Sequence, residues 1–225
     1  MKQKLLLFVS LVVLTPWLLQ AQGTFQNLDF EQATIVPQGG AFPEYFVASN
    51  ALPGWTVYIG SNSFDAVYYN NVTAGGAAVS LHDTTDSLKP LQGNYSVLLQ
   101  HSSGNFASAG IGQVGQLPAN AKSIVFDSGF SGVWSTVYDV TFAGNPIPLF
   151  DIGTASGYFI VGGDISAYAG QTGELRFTAL LADFGPYLDD IRFSNQAVPE
   201  PGVLGLSVIG GLLLGWRLRR NSPRP

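Results

Sequence analysis

The sequence predicts an all-β fold, an antiparallel β-sandwich or jelly roll, for residues 22–195. Apolar and polar residues alternate there with a period of two, as in half-buried strands, and the helical period of about 3.6 does not recur. Pairs of Gly, Pro and Asn interrupt the alternation at short intervals, which is typical of tight connections between short strands. A hydrophobic segment at each end of the chain flanks this single predicted domain.

The N-terminal segment predicts a signal peptide over residues 1–21. Lys2 and Lys4 precede an apolar run over residues 5–19, and Ala21 is the small residue expected before a cleavage site. We therefore expect the Sec translocon and signal peptidase as partners. The residues that follow would be exported.

Short segments spread over the middle part of the chain are predicted as strands. The pattern is clearest in residues 174–180, where Leu175 and Phe177 point to one side and Glu174 and Arg176 point to the other. The other segments are residues 25–31, 54–59, 77–81, 96–100, 123–127, 137–142, 157–161 and 187–193. A linker over residues 196–201 is expected to end the domain.

The C-terminal segment predicts a single transmembrane helix over residues 202–216 and a basic cytoplasmic tail over residues 217–225. The segment is uncharged and ends at an interfacial Trp216. As a helix it would span about 22 Å, which is short for a hydrocarbon core of about 30 Å. A helix buried in the domain is the alternative, but such a helix would show a polar stripe, and Ser207 is the only polar side chain before Arg217.

The charge distribution argues against nucleic acid as a partner. Six of the ten Lys and Arg residues lie in the two end segments, which leaves four in the middle part, whereas only Glu200 of the fifteen Asp and Glu residues lies outside it. Phosphate binding needs the opposite sign of charge. The chain also has no cysteine, which excludes disulfides, thiol chemistry and thiolate metal sites.

The C-terminal end combines three features in order, namely Pro199, Glu200 and Pro201, then the apolar segment, then arginines. The two prolines exclude a helix at this point and indicate an extended, accessible segment. This order resembles the PEP-CTERM sorting signal of Gram-negative bacteria. The resemblance implies an exosortase, a membrane-embedded transpeptidase-like enzyme, as a partner that cuts near the motif. It also implies a precursor anchored in the inner membrane that later reaches the cell surface or an extracellular matrix containing exopolysaccharide.

Three short segments of the middle part resemble landmarks of galactose-binding-like jelly rolls. They are LDFE at residues 28–31, LPGWTV at residues 52–57 and YLDDIRF at residues 187–193, which look like the first strand, an early strand and the last strand of those folds. Carbohydrate-binding modules and DUF642-like cell-wall proteins share these landmarks. The resemblance implies this fold but no particular ligand, because one fold serves many functions.

The same resemblance implies a structural Ca²⁺ ion between the first and last strands. Matched residue by residue, the ligands would be Glu31 and Asp190, with Asp29 and Asp189 as alternates. Calcium takes about six to eight hard oxygen ligands, which carboxylates and backbone carbonyls supply, and it would stabilise the fold rather than catalyse a reaction. The alternative is that Asp189 and Asp190 cap the strand while Glu31 is solvated.

Carbohydrate binding would need flat aromatic platforms beside polar loops. Trp55, Tyr58 and Trp134 are the candidates, with exopolysaccharide as the ligand. Trp55 follows a Pro-Gly pair at the start of a strand, and Trp134 lies beside another strand. Aromatic residues in such positions more often belong to the core, so the core interpretation is favoured.

Catalysis finds little support in the sequence. His82 and His101 are the only histidines, and neither belongs to a metal-binding or nucleophile motif. His82 and Asp83 are adjacent and would point to opposite faces of a strand. We therefore expect an exported, non-enzymatic protein of the cell surface or extracellular matrix. A carbohydrate-binding module is the alternative, and a glycan-active hydrolase is less favoured.

Overall fold

Among the residues that the structure describes, fourteen strands account for about half. The computed structural model describes residues 23–39, 44–102, 107–129, 137–180 and 185–198. The strands are β1 (Tyr45–Val47), β2 (Thr56–Ile59), β3 (Asn62–Ser63), β4 (Ala66–Tyr69), β5 (Ala78–Asp83), β6 (Tyr95–Gln100), β7 (Ala109–Gln116), β8 (Ser123–Ser128), β9 (Tyr138–Phe142), β10 (Asn145–Pro146), β11 (Leu149–Ala155), β12 (Tyr158–Asp164), β13 (Thr172–Ala179) and β14 (Tyr187–Ser194). A short helix α1 (Ala48–Ala51) follows β1, and a 3-10 turn (Ser166–Tyr168) precedes β13.

The strands form two sheets. The first sheet has the order β1-β4-β5-β6-β14-β8-β12-β11, and the second sheet has the order β10-β9-β13-β7-β2-β3. Neighbouring strands pair in antiparallel fashion, with one exception, because β4 and β5 are parallel. The predicted β-sandwich is therefore confirmed, and the prediction that it is purely antiparallel is wrong at this one pair.

Aromatic rings join the inner faces of the two sheets. Phe126 on β8 lies 5.2 Å from Phe177 on β13 and 5.5 Å from Tyr138 on β9, measured between ring centroids, and both contacts are edge-to-face. Alternate residues along the strands complete this core, for example Val97 and Leu99 on β6. The alternation in sequence thus becomes one buried face for each sheet.

The predicted strand over residues 25–31 is wrong. The segment forms turns, because Asn27 and Phe30 adopt φ angles of 49° and 58°, which a strand does not allow. The segment still contributes Phe25, Leu28 and Phe30 to the core. It also lies against the last strand, since Ile191 N donates a hydrogen bond of 2.9 Å to Leu28 O. Each of the other predicted segments overlaps a strand.

The sequence patterns do not predict β7, although it is central in the second sheet. Its glycines interrupt the alternation of apolar and polar side chains, and glycine is uncommon inside strands. Each is needed for a close approach: a Cβ at Gly112 would lie 2.6 Å from Glu174 Oε1, and one at Gly115 would lie 2.9 Å from the Phe25 ring. The strands β1, β3, β4, β10 and β11 also fall outside the predicted segments.

Both ends of the described domain leave the sandwich at the same end. Thr24 N donates to Gln116 O at 3.1 Å, and Lys122 N donates to Ser194 O at 2.8 Å. Gln116 and Lys122 flank the short connection between β7 and β8. Within the described ranges, no helix is long and apolar enough to cross a membrane. The predicted signal peptide over residues 1–21 and the predicted transmembrane helix over residues 202–216 lie outside those ranges.

Candidate functional site

The structure brings the four predicted calcium ligands together around one cavity, here called the carboxylate pocket. Its volume is about 230 Å³. It is lined by Asp29, Glu31, Gln92, Gly93, Asp189 and Asp190. The turns before β1, the loop before β6 and the strand β14 each contribute a pair of these residues. Residues far apart in sequence thus meet at a single site.

Asp189 is the most buried acid of the pocket. It lies on β14 directly opposite Asp127 on β8, and both carboxylates are shielded from solvent. Asp189 Oδ2 accepts hydrogen bonds from Ser96 Oγ at 2.6 Å and from Gln92 N at 3.0 Å. Burial raises the pKa of Asp189 to about 7, and the negative charges of Asp127 and Glu31 act in the same direction.

A bulge places Asp190 beside this pair. The pairing of β14 with β8 shifts register between Asp189 and Arg192, and Asp190 has a φ angle of 45°. Arg192 forms an ion pair with Asp190 and contacts Asp127 Oδ1 at 3.3 Å. Gln92 Nε2 donates to Asp190 Oδ2 at 3.2 Å. The Arg192 guanidinium therefore offsets part of the negative charge of these carboxylates, and the Gln92 amide donates a hydrogen bond to one of them.

Glu31 is anchored to the loop before β6 rather than simply solvated. Its Oε1 accepts hydrogen bonds from Asn94 N at 2.6 Å and from Tyr95 N at 3.1 Å. Its Oε2 accepts from Asn94 Nδ2 at 2.8 Å. The carboxylate lies directly over Gly93, where a Cβ would be only 2.2 Å from Oε1. Glycine at this position therefore makes the anchorage possible.

The donor chemistry of the carboxylate pocket suits a hard cation. Carboxylate oxygens are what calcium prefers. Burial is the main cause of the raised pKa of Asp189, and the negative charges of Asp127 and Glu31 add to it. Within the residues that the structure describes, however, no group of three or more His, Cys, Asp or Glu side chains is placed so that it could hold a metal ion. A calcium ion would therefore depend on Gln92 or on backbone carbonyls in addition to the carboxylates.

Comparisons with known proteins identify no relative of this chain. No protein-family model matches the sequence, no curated protein matches it, and no solved structure matches the fold.

Trp55 is a core residue, so its interpretation as a sugar platform is wrong and the core interpretation is confirmed. Only 5% of its surface is exposed. Its Nε1 donates a buried hydrogen bond of 2.9 Å to Asn27 O. The ring packs against Phe30 and Phe177, with centroid distances of 5.9 Å and 6.4 Å.

Tyr58 is half-buried and already covered. The guanidinium carbon of Arg176 lies 3.8 Å from the centroid of its ring. Its hydroxyl donates a hydrogen bond of 2.7 Å to Glu174 Oε1. The Arg176 guanidinium therefore occupies one face of the ring that a sugar would stack on. The third predicted platform, Trp134, lies outside the described residues.

An aromatic cleft that the sequence patterns do not predict lies elsewhere, between the edges of the two sheets. Its volume is about 230 Å³. It is lined by Tyr45, Ile59, Phe64, Ala66, Tyr68, Ala77, Ala78 and Val79. Tyr45 faces Tyr68 because β1 pairs with β4. No alternation in the sequence signals either of these short strands, so the cleft could not be foreseen.

His82 and Asp83 do not act together, as expected for neighbours on a strand. His82 is fully buried, its Nδ1 contacts Asp86, and burial lowers its pKa. Asp83 instead accepts hydrogen bonds from Tyr69, Asn70 and Thr85.

Replacement of Gly93 tests the anchorage of Glu31. Gly93→Ala introduces a Cβ at a φ angle of 55° and displaces the carboxylate, so it should cost more than the strain alone, which is about 1–2 kcal/mol. Gly144→Ala is the matched control, because Gly144 has a φ angle of 77° and a Cβ there would meet nothing within 4 Å. Urea denaturation of the full chain measures both losses, and equal losses would contradict the anchorage.

The pH dependence of stability tests the burial of Asp189. A carboxyl whose folded-state pKa is about 7 contributes stability that is fully present below its unfolded pKa of about 4 and is lost as the pH rises through 7. In EDTA, the free energy of unfolding of the wild type should therefore fall relative to that of Asp189→Asn between pH 5 and pH 8, by at most about 1.4 kcal/mol per pH unit. Parallel curves for the two proteins would show that Asp189 does not titrate in this range.

Proposed function

We propose that the chain is an exported, non-enzymatic protein of the cell surface or extracellular matrix. The observation that carries this proposal is the ordered C-terminal signal of Pro199, Glu200 and Pro201, an apolar segment over residues 202–216 and a basic tail. The N-terminal signal peptide is its counterpart. Together they describe a precursor that crosses the inner membrane, stays anchored there and is then cut by an exosortase.

The arrangement of the chain ends supports this proposal. Both ends leave one end of the sandwich, beside the connection between β7 and β8. A domain tethered by either hydrophobic segment would therefore turn the same end toward the membrane. Its excess of acidic over basic residues suits a protein that must stay soluble outside the cell.

We further propose that the sandwich is a galactose-binding-like jelly roll. The contact between the segment over residues 25–31 and β14 supports this, because the first and last segments of such folds are neighbours. Carbohydrate binding at the predicted platforms is less well supported, since Trp55 is in the core and Arg176 covers Tyr58.

The carboxylate pocket is proposed to hold a structural Ca²⁺ ion. Glu31 and Asp190 would be its main ligands, with Asp29 and Asp189 as alternates. A bound divalent ion supplies positive charge that offsets the clustered carboxylates and so favours the folded chain. The residues themselves tie the segment before β1 to β14 and to the loop before β6.

Processing at the motif can be followed by mass spectrometry of the mature C-terminus. In a host that carries an exosortase, the surface fraction should contain chains that end near Pro201, because the proposed enzyme cuts near the motif. Replacing Pro199, Glu200 and Pro201 together by alanine should leave chains that retain Trp216 in the membrane fraction. Alanine at the neighbouring Asn195 is the control and should be processed normally. Wild-type surface protein that still carries Trp216 and Arg217 would contradict the proposal.

Thermal melting of the full chain tests the calcium site. Calcium should raise the melting temperature above that in EDTA, by the equivalent of about 2.7 kcal/mol at a hundredfold excess over Kd. Glu31→Gln and Asp190→Asn should each reduce the shift, because each removes a proposed ligand. Asp139→Asn is the matched control, since it removes one exposed negative charge from β9 in the second sheet and should preserve the shift. A melting temperature that is the same in calcium and EDTA would rule out the site.

A further inference from the structure

The aromatic cleft lies at the end of the sandwich opposite to both chain ends. In the first sheet, Ala78 at the start of β5 pairs with Gln100 at the end of β6. Because β6 also pairs with β14 in antiparallel fashion, Tyr187 lies near this end and Ser194 lies at the other. Ligands reaching the cleft would therefore approach from the side that faces away from the tether.

Three aromatic rings form the wall of the cleft at steep mutual angles. The Tyr45 ring lies 4.9 Å from the Tyr68 ring at 62° and 5.9 Å from the Phe64 ring at 80°, measured between centroids and ring planes. Phe64 is 42% exposed, although it packs against the Tyr45 ring. The rings therefore line an accessible concave surface rather than a sealed core.

The remaining lining lacks the groups that a sugar needs. Its other side chains are aliphatic, namely Ile59, Ala66, Ala77, Ala78 and Val79. The two tyrosine hydroxyls are hydrogen-bonded to each other, since Tyr68 donates to Tyr45 at 3.2 Å. No amide, carboxylate or basic side chain is among the lining residues that the structure describes. A neutral polyol would leave most of its hydroxyls without partners there, which is costly.

The electrostatic surroundings of the cleft favour a cation. Burial raises the pKa of Tyr68 to about 12, and the hydrogen bond to Tyr45 and the negative charge of Glu44 add to this effect. The field of the Glu44 carboxylate thus reaches the rings. The faces of aromatic rings attract cations, and this attraction grows when the cation is desolvated.

We propose that the aromatic cleft binds an organic cation with a methylated ammonium head group. Such a head group needs aromatic rings and apolar contacts but no hydrogen-bond acceptor, which matches the aromatic and aliphatic lining of the cleft. The volume of about 230 Å³ is below the range of about 300–1,000 Å³ that holds drug-sized ligands, so it suits a head group alone. Free choline and a phosphatidylcholine head group share this chemistry.

Calorimetric titration of the full chain with choline tests the proposal. The detergent should be of the polyoxyethylene type, which bears neither a sugar nor a choline group. The comparison ligand is the neutral isostere of choline, in which carbon replaces the quaternary nitrogen. Choline should bind at least about tenfold more tightly than the isostere, because only choline carries the charge that the rings attract.

Variants separate the contribution of the rings from that of the hydroxyls. Phe64→Ala should weaken choline binding about tenfold, and Glu44→Gln should weaken it about two- to threefold. Tyr68→Phe keeps the ring and should leave binding unchanged. Val72→Ala is the control for loss of an exposed apolar side chain outside the cleft, since Val72 is 46% exposed. The melting temperature of each variant verifies that it is folded.

Three results would overturn the proposal: equal binding of choline and its isostere, competition by glucose at the cleft, or choline affinity that is unchanged by Phe64→Ala. Lack of choline binding together with lack of binding to phosphatidylcholine vesicles would overturn it as well. Binding of phosphatidylcholine but not phosphatidylglycerol vesicles would identify a lipid head group as the source. Binding of choline without binding to either vesicle would identify a free cation.

Discussion

The packing of Trp55 against Phe177 is the contact on which the rest of the structure depends. Phe177 belongs to the second sheet and also meets Phe126 of the first, so it joins the two layers. Trp55 connects this packing to the segment before β1, because its indole N–H donates a hydrogen bond to the backbone oxygen of Asn27. The turns that follow Asn27 then deliver Glu31 to the loop before β6. A buried ring pair therefore positions a surface carboxylate that is distant from it in sequence.

The outer face of the first sheet adds a second, polar layer to this core. His82 pairs with Ser96, Ser96 donates to Asp189, and Asp189 lies opposite Asp127, so buried polar groups cross four neighbouring strands. The loop before β6 covers them, since Gln92 N donates to Asp189. Buried carboxylates are costly without compensating charge, and Arg192 supplies only part of it. This imbalance supports the calcium ion proposed for the carboxylate pocket.

The sequence predicts strands well where one face is apolar and the other polar, as in β13, and poorly where the side chains needed for that signal are missing. Gly112 and Gly115 remove this signal from β7, because neighbouring groups lie too close to these positions for any side chain to fit. The alternation over residues 25–31 also predicts a strand, but the positive φ angle at Phe30 excludes one there. The predicted acids do line one pocket, whereas the aromatic cleft depends on a pairing of Tyr45 with Tyr68 that no local pattern encodes.

The C-terminal end of the described domain is held against the first sheet. Ser123 Oγ donates a hydrogen bond of 2.7 Å to Gln196 O. The Val198 side chain lies so close to Gly162 that a Cβ on this glycine would be 3.0 Å from it. These contacts keep the chain on the sandwich up to the residue before Pro199. A cut in the proposed motif would fall beyond Val198, so all described residues, including those of the carboxylate pocket and the aromatic cleft, would stay on one fragment.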